Sequence, residues 1–118
     1  MVTIEQLGQA ALNGESLLLR SLTQDLIREH PTISDCPKPG TDDPRLLAAA
    51  ASLVELLSLR VGQTPPPWTS DVGALAEPIY LLKEAANMKH LRVLCETEAP
   101  EPLRKRGFYA PPNFLEFA

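Results

Sequence analysis

Aromatic residues are scarce in this 118-residue chain: one tryptophan, two tyrosines and three phenylalanines. Its apolar content is mostly Leu and Ala, good helix formers, and β-branched residues are sparse, which disfavours a sheet-based fold. Cysteine is equally thin. Cys36 and Cys95 stand far apart and make no disulfide framework, so the simpler reading is a reduced cytoplasmic setting with two small, idle thiols. There are two histidines, His30 and His90, and neither has a ligand-spaced neighbour; His30 and Cys36 lack a second half-site, so no metal is expected. The glycines are isolated, which excludes a phosphate-cradling loop, and no serine sits in a nucleophile elbow. Glu96 and Glu98 lie two apart on an expected helix and face different ways, so they do not pair as acid and base. No catalytic set and no cofactor site is expected, and the chain is read as a non-enzyme.

Long apolar runs are also missing. No stretch approaches the roughly 18 consecutive apolar residues of a membrane span. The first residues lack the basic start and apolar run of a secretory signal. The formal net charge of −4 opposes attraction of the whole chain to nucleic acid or to an anionic membrane, but leaves room for a local basic patch.

Proline, by contrast, is abundant at twelve residues, and the prolines cluster as punctuation between helices. Thr3 with Gln6 reads as a capping box opening a first helix, with Leu7, Ala10 and Ala11 on its apolar stripe; Asn13-Gly14 breaks it. A second helix over residues 15–29 carries Leu18, Leu22 and Leu26, with Leu19 and Ile27 beside them, and ends before Pro31. Residues 32–42 read as a surface loop. Asp43-Pro44 is a strong helix start, and the helix to Val61 is apolar over most of its girth and therefore central; a charge at Leu53 should damage it far more than one at Glu55.

Residues 64–71 form a Pro-rich connection, Pro65-Pro66-Pro67 favouring an extended run before Trp68. Trp68 either packs this connection onto the core or anchors a partner. From Val72 a short helical turn is expected, then a helix over residues 78–86, then one from Met88 to Glu98 capped by Asn87, then a last turn over residues 101–106 closed by Gly107. The fold class is thus all-α, a single domain over residues 1–118 forming a bundle of about five to six helices with Pro-rich connections.

Positive signs of binding gather in the second half. Arg104-Lys105-Arg106 is the densest basic run, with Lys83, Lys89 and Arg92 nearby in sequence. It either complements the negative end of a helix or contacts an acidic partner or phosphates. The tail over residues 108–118 carries Phe108, Tyr109, Phe114, Leu115 and Phe117, more apolar surface than a solvated tail holds. It either folds back on the core, the favoured reading, or docks on another protein.

The ordered set Asp43-Pro44-Arg45, the Leu/Ala-rich helix, Pro65-Pro66-Pro67-Trp68-Thr69, Leu91-Arg92, Glu98-Ala99-Pro100 and Leu103-Arg104-Lys105-Arg106-Gly107 resembles a group of small bacterial helical proteins. These occur as antitoxin-like partners, often encoded beside nucleotidyltransferase-like toxins. The likeness spans residues 43–118. It implies a neutralising or regulatory protein partner and places a surface contact on Arg104, Lys105 and Arg106. Some longer members carry a helix-turn-helix ahead of this region; no convincing one stands here, which weakens direct DNA binding. The expected partner-binding residues are Trp68, Arg92, Arg104, Lys105, Arg106, Phe114 and Phe117. The alternative is a nucleic-acid-associated regulator using the basic run. Oligomeric state stays open: the apolar helix over residues 46–61 is either the central helix of a monomer or half of a homodimer interface.

Overall fold

In the computed structural model, residues 3–29, 32–36, 38–81, 88–110 and 114 are described. They are mostly helical, with a small parallel sheet. The helices are α1 (Ile4–Leu12), α2 (Ser16–Glu29), α3 (Pro44–Arg60), α4 (Lys89–Glu98) and α5 (Glu101–Arg104). Single 3-10 turns occupy Ile33–Asp35 and Pro67–Asp71. Strand β1 (Ile79–Tyr80) pairs with β2 (Phe108–Tyr109), Ile79 opposite Phe108 and Tyr80 opposite Tyr109.

The capping box forms as expected. The Gln6 amide donates to Thr3 Oγ1 at 3.2 Å and the Thr3 amide to Gln6 Oε1 at 2.9 Å, satisfying two amides that a helix start leaves open. Asp43 accepts from the Arg45 amide at 3.0 Å, with Pro44 at the first helical position of α3. From Ala48 to Ser58 every residue of α3 is buried. Its two buried serines bond back to the preceding turn, Ser52 to the Ala48 carbonyl and Ser58 to the Val54 carbonyl, both at 2.8 Å, so neither hydroxyl is stranded. Helix α1 lies across α3 at Gly8, where a Cβ would come within 2.9 Å of Leu46 Cδ1 and 3.3 Å of the Leu46 carbonyl. Helix α5 and both 3-10 turns also pack on α3, and one apolar cluster runs from Ile4 to Ala110. No helix among the described residues is long and apolar enough to cross a membrane.

Several expectations fail, each for a tertiary reason. The stretch beginning at Pro78 opens as strand and not as helix; residues 82–87, with the Asn87 cap, lie outside the described residues. The Ile79 amide reaches the Gly107 carbonyl at 2.8 Å and the Leu81 amide reaches the Tyr109 carbonyl at 3.0 Å. A segment some thirty residues away supplies the hydrogen bonds, and that outweighs local helix preference. Residues 72–78 hold no helical turn; Leu75 instead donates to the Arg106 carbonyl at 3.0 Å. The all-α reading is therefore corrected to a mainly helical fold with a two-stranded clasp. Residues 32–42 are not a free loop either, since Ile33 and Cys36 are buried and Gln63 Oε1 accepts from the Ile33 amide at 2.8 Å. In α2 Leu19, Thr23 and Leu26 are buried and Leu22 and Ile27 pack partly against the core, so Leu18 is the member of the expected stripe that faces outward.

Candidate partner-binding site

The three consecutive cations of the basic run have three different fates. Helix α5 ends at Arg104, and the turn over residues 105–107 closes on Gly107, whose φ of +90° suits glycine. That turn swings the Arg106 side chain into the core, where it is only 2% exposed. Its guanidinium donates from Nε to the Val72 carbonyl at 3.2 Å, from Nη1 to the Pro102 carbonyl at 3.1 Å and from Nη2 to the Thr69 carbonyl at 2.6 Å. Nη2 also bonds Glu55 Oε1, and Lys105 Nζ meets Glu55 Oε2 at 2.8 Å. A buried charge persists only when paired and fully bonded, and the flat five-donor guanidinium achieves this by gathering the turn over residues 67–72 and its own α5 segment onto α3. Arg104 remains exposed, its Nη1 donating to the Thr97 carbonyl at 3.2 Å.

The basic run is thus not one exposed patch. Arg106 is a structural tie and is withdrawn as a surface contact, and Lys105, half out in solvent, is largely committed to Glu55. Glu55, taken from sequence as a tolerant position, is a buried partner. Burial pushes its carboxyl upward, but the hydrogen bonds and charges of Arg106 and Lys105 outweigh that and hold it below its ordinary range. The available signal was a single carboxylate inside an otherwise apolar and small-residue stretch of helix. An open cleft of about 510 Å³ lies beside this knot, walled by Pro65, Pro66 and Pro67. Both Glu55 oxygens are engaged and arginine does not titrate near neutrality, so the knot is built for holding, not for proton transfer.

Trp68 takes the packing alternative. It lies half-buried against the core, and its indole N–H donates to the Cys36 carbonyl at 2.8 Å, fastening the Pro-rich connection to the turn over Ile33–Asp35. The tail folds back at its start: Phe108 and Ala110 are fully buried and Phe114 packs partly against the core, while Phe117 lies outside the described residues. Trp68 and Phe114 are therefore not free-standing anchors.

Arg92, like Arg104, stays on an open face. It sits on α4, stacked 5.9 Å above the Tyr80 ring, with Nε 3.4 Å from Glu96 Oε1. The Tyr80 hydroxyl donates to the same oxygen, and the Tyr80 and Tyr109 rings lie 5.3 Å apart at 55°. The bond to Glu96 raises the Tyr80 phenol and lowers the Glu96 carboxyl. This cluster ties α4 to the sheet, since α4 otherwise makes only sparse contact with the other described elements. Cys95 of the same helix is buried, its thiol pushed up by burial, while Met88 at 56% and Val93 at 49% are exposed. The charges of α4 run against its own dipole. Lys89 and Arg92 occupy the first turn and Glu96 and Glu98 the last, an order that the dipole opposes at both ends.

A second open surface was not anticipated. With the stripe of α2 turned inward through Leu19 and Leu26, Leu17 is left 84% and Leu18 45% exposed on its first turns. No cluster of His, Cys, Asp and Glu that could hold a metal occurs among the described residues. In comparison with known proteins, no family model, no curated protein and no solved structure matches the chain.

Proposed function

We propose that this chain is a non-catalytic protein-binding module, an antitoxin-like partner of a co-encoded toxin or enzyme. The observation that carries the reading is the adjacent pair Leu17 and Leu18 on the surface of α2. Covering Leu17 is worth about 1.5–3 kcal/mol and Leu18, already more than half buried, about half of that, and their polar neighbours Ser21 and Gln24 suit the wet rim of an interface. The resemblance over residues 43–118 supports the same class of partner. The nucleic-acid alternative is weaker, because among the described residues Arg106 is spent in the core and Lys105 is paired with Glu55, leaving Lys89, Arg92 and Arg104 as exposed cations near α4.

Co-expression with the product of the adjacent gene is the test. The expected result is neutralisation of a toxic neighbour and co-purification of the two chains, with capture lost in Leu17→Asp while the fold persists. A harmless neighbour that does not co-purify refutes the proposal. Salt-sensitive retention on nucleic acid by the isolated chain would favour the regulator instead.

A further inference from the structure

Lys89, Arg92, Val93 and Glu96 are spaced i, i+3, i+4 and i+7, so they share one face of α4. Lys89, Arg92 and Val93 are exposed and Glu96 is half-exposed. The basic end of this face coincides with the positive end of the helix dipole and the acidic end with the negative one, so the single helix gains nothing from the order.

We infer that this face is a self-association surface, two copies of the chain pairing antiparallel through α4 across a two-fold axis. An antiparallel copy reverses the charge order. Lys89 of each copy then faces Glu96 of the other, the opposed dipoles attract, and Arg92 and Val93 of both copies lie near the axis, each Arg92 paired with Glu96 of its own chain. A second copy supplies this complement by symmetry alone, since a two-fold interface uses the same patch twice. A parallel arrangement would set like charges together. Among the described residues both contacts of Glu96 within its own chain use Oε1, so an incoming ammonium at Oε2 adds to the Tyr80–Arg92–Glu96 cluster without dismantling it. This surface on α4 is separate from Leu17 and Leu18, and the inference stands or falls independently of the antitoxin-like reading.

Sedimentation equilibrium on the full chain tests it. The wild type should form dimers that weaken as salt rises. Lys89→Glu and Glu96→Lys should each weaken the dimer about tenfold or more, because each sets like charges together twice. A mixture of those two variants should associate again, because every reversed charge then meets its opposite. Val93→Glu, at an exposed position, should abolish the dimer. Circular dichroism reports whether Glu96→Lys keeps α4 folded; where it does not, Lys89→Glu and Val93→Glu decide. A wild-type chain still monomeric at about 100 μM, where a dimer of about micromolar Kd would be nearly complete, overturns the inference. So does a dimer indifferent to Lys89→Glu and Val93→Glu, or a mixture of folded charge-reversed variants that stays apart.

Discussion

Arg106 and Glu55 lie 51 residues apart in sequence and meet side chain to side chain in the interior. Arg106 also donates to Thr69, Val72 and Pro102, so one guanidinium joins α3, the turn over Pro67–Asp71, the segment leading to β1, and α5.

Truncating this arginine takes the buried partner from Glu55, leaving its carboxylate only the half-exposed Lys105, and removes a donor from three carbonyls. Arg106→Met should cost about 3–5 kcal/mol, the scale for breaking a buried pair by removing one partner. Arg106→Lys should rescue little, because an ammonium cannot reproduce the flat fork. The double variant Glu55→Leu with Arg106→Met should lose less than the two single losses combined, since neither charge is left alone. Urea denaturation of the four proteins measures the coupling.

Acid should weaken the same knot. The folded carboxyl of Glu55 titrates below its ordinary value of 4.5, so its stabilising contribution is complete above that value and is lost as pH falls through the folded value. Melting temperatures of wild type and Glu55→Gln should therefore differ at neutral pH and converge as the pH falls below the folded value of Glu55. A difference that stays constant into acid would remove Glu55 as the source.

At the α1–α3 crossing, Gly8 leaves no room for a large side chain. Gly8→Leu should lower stability by about 1–3 kcal/mol, the usual cost of forcing volume into a packed contact. The reason is the Leu46 carbonyl, which a Cβ at Gly8 would already approach within 3.3 Å; it belongs to the helix backbone and yields less easily than the Leu46 side chain. Thermal unfolding followed by circular dichroism reads this directly.

Trp68→Phe keeps most of the apolar contact and removes one donor. The Cys36 carbonyl then loses the indole N–H, which should cost about 0.5–1.5 kcal/mol. Chemical denaturation followed by circular dichroism measures the loss. An unchanged midpoint would show that the fastening of the Pro-rich connection is energetically silent.

Leu17→Asp separates surface from core. With Leu17 already 84% exposed, stability should stay within about 0.5 kcal/mol of wild type. Loss of partner capture in that variant then reports an interface and not a folding defect.

Much of the helical frame is legible in the sequence because its causes are local. A capping box at Thr3 and Gln6, an Asp43-Pro44 start, a Leu/Ala-rich run and a glycine stop each act within one or two turns, and α1 and α3 begin where those residues say. The outward face of α2 is less legible: Leu18 and Leu19 fit a stripe equally well, and only the packing of α2 on α1 chooses Leu19.

What only the tertiary structure decided is everything that pairs distant segments. Ile79 and Tyr80 are strand because Phe108 and Tyr109 lie beside them, and no local pattern encodes that register. Composition and spacing marked Arg104, Lys105 and Arg106 as a basic run but could not say that a turn closed by Gly107 buries the last of them. The physical reason is range. Caps and periodicity are set within a helix turn, whereas the burial of a charge depends on whether a carboxylate 51 residues away and three carbonyls converge on it.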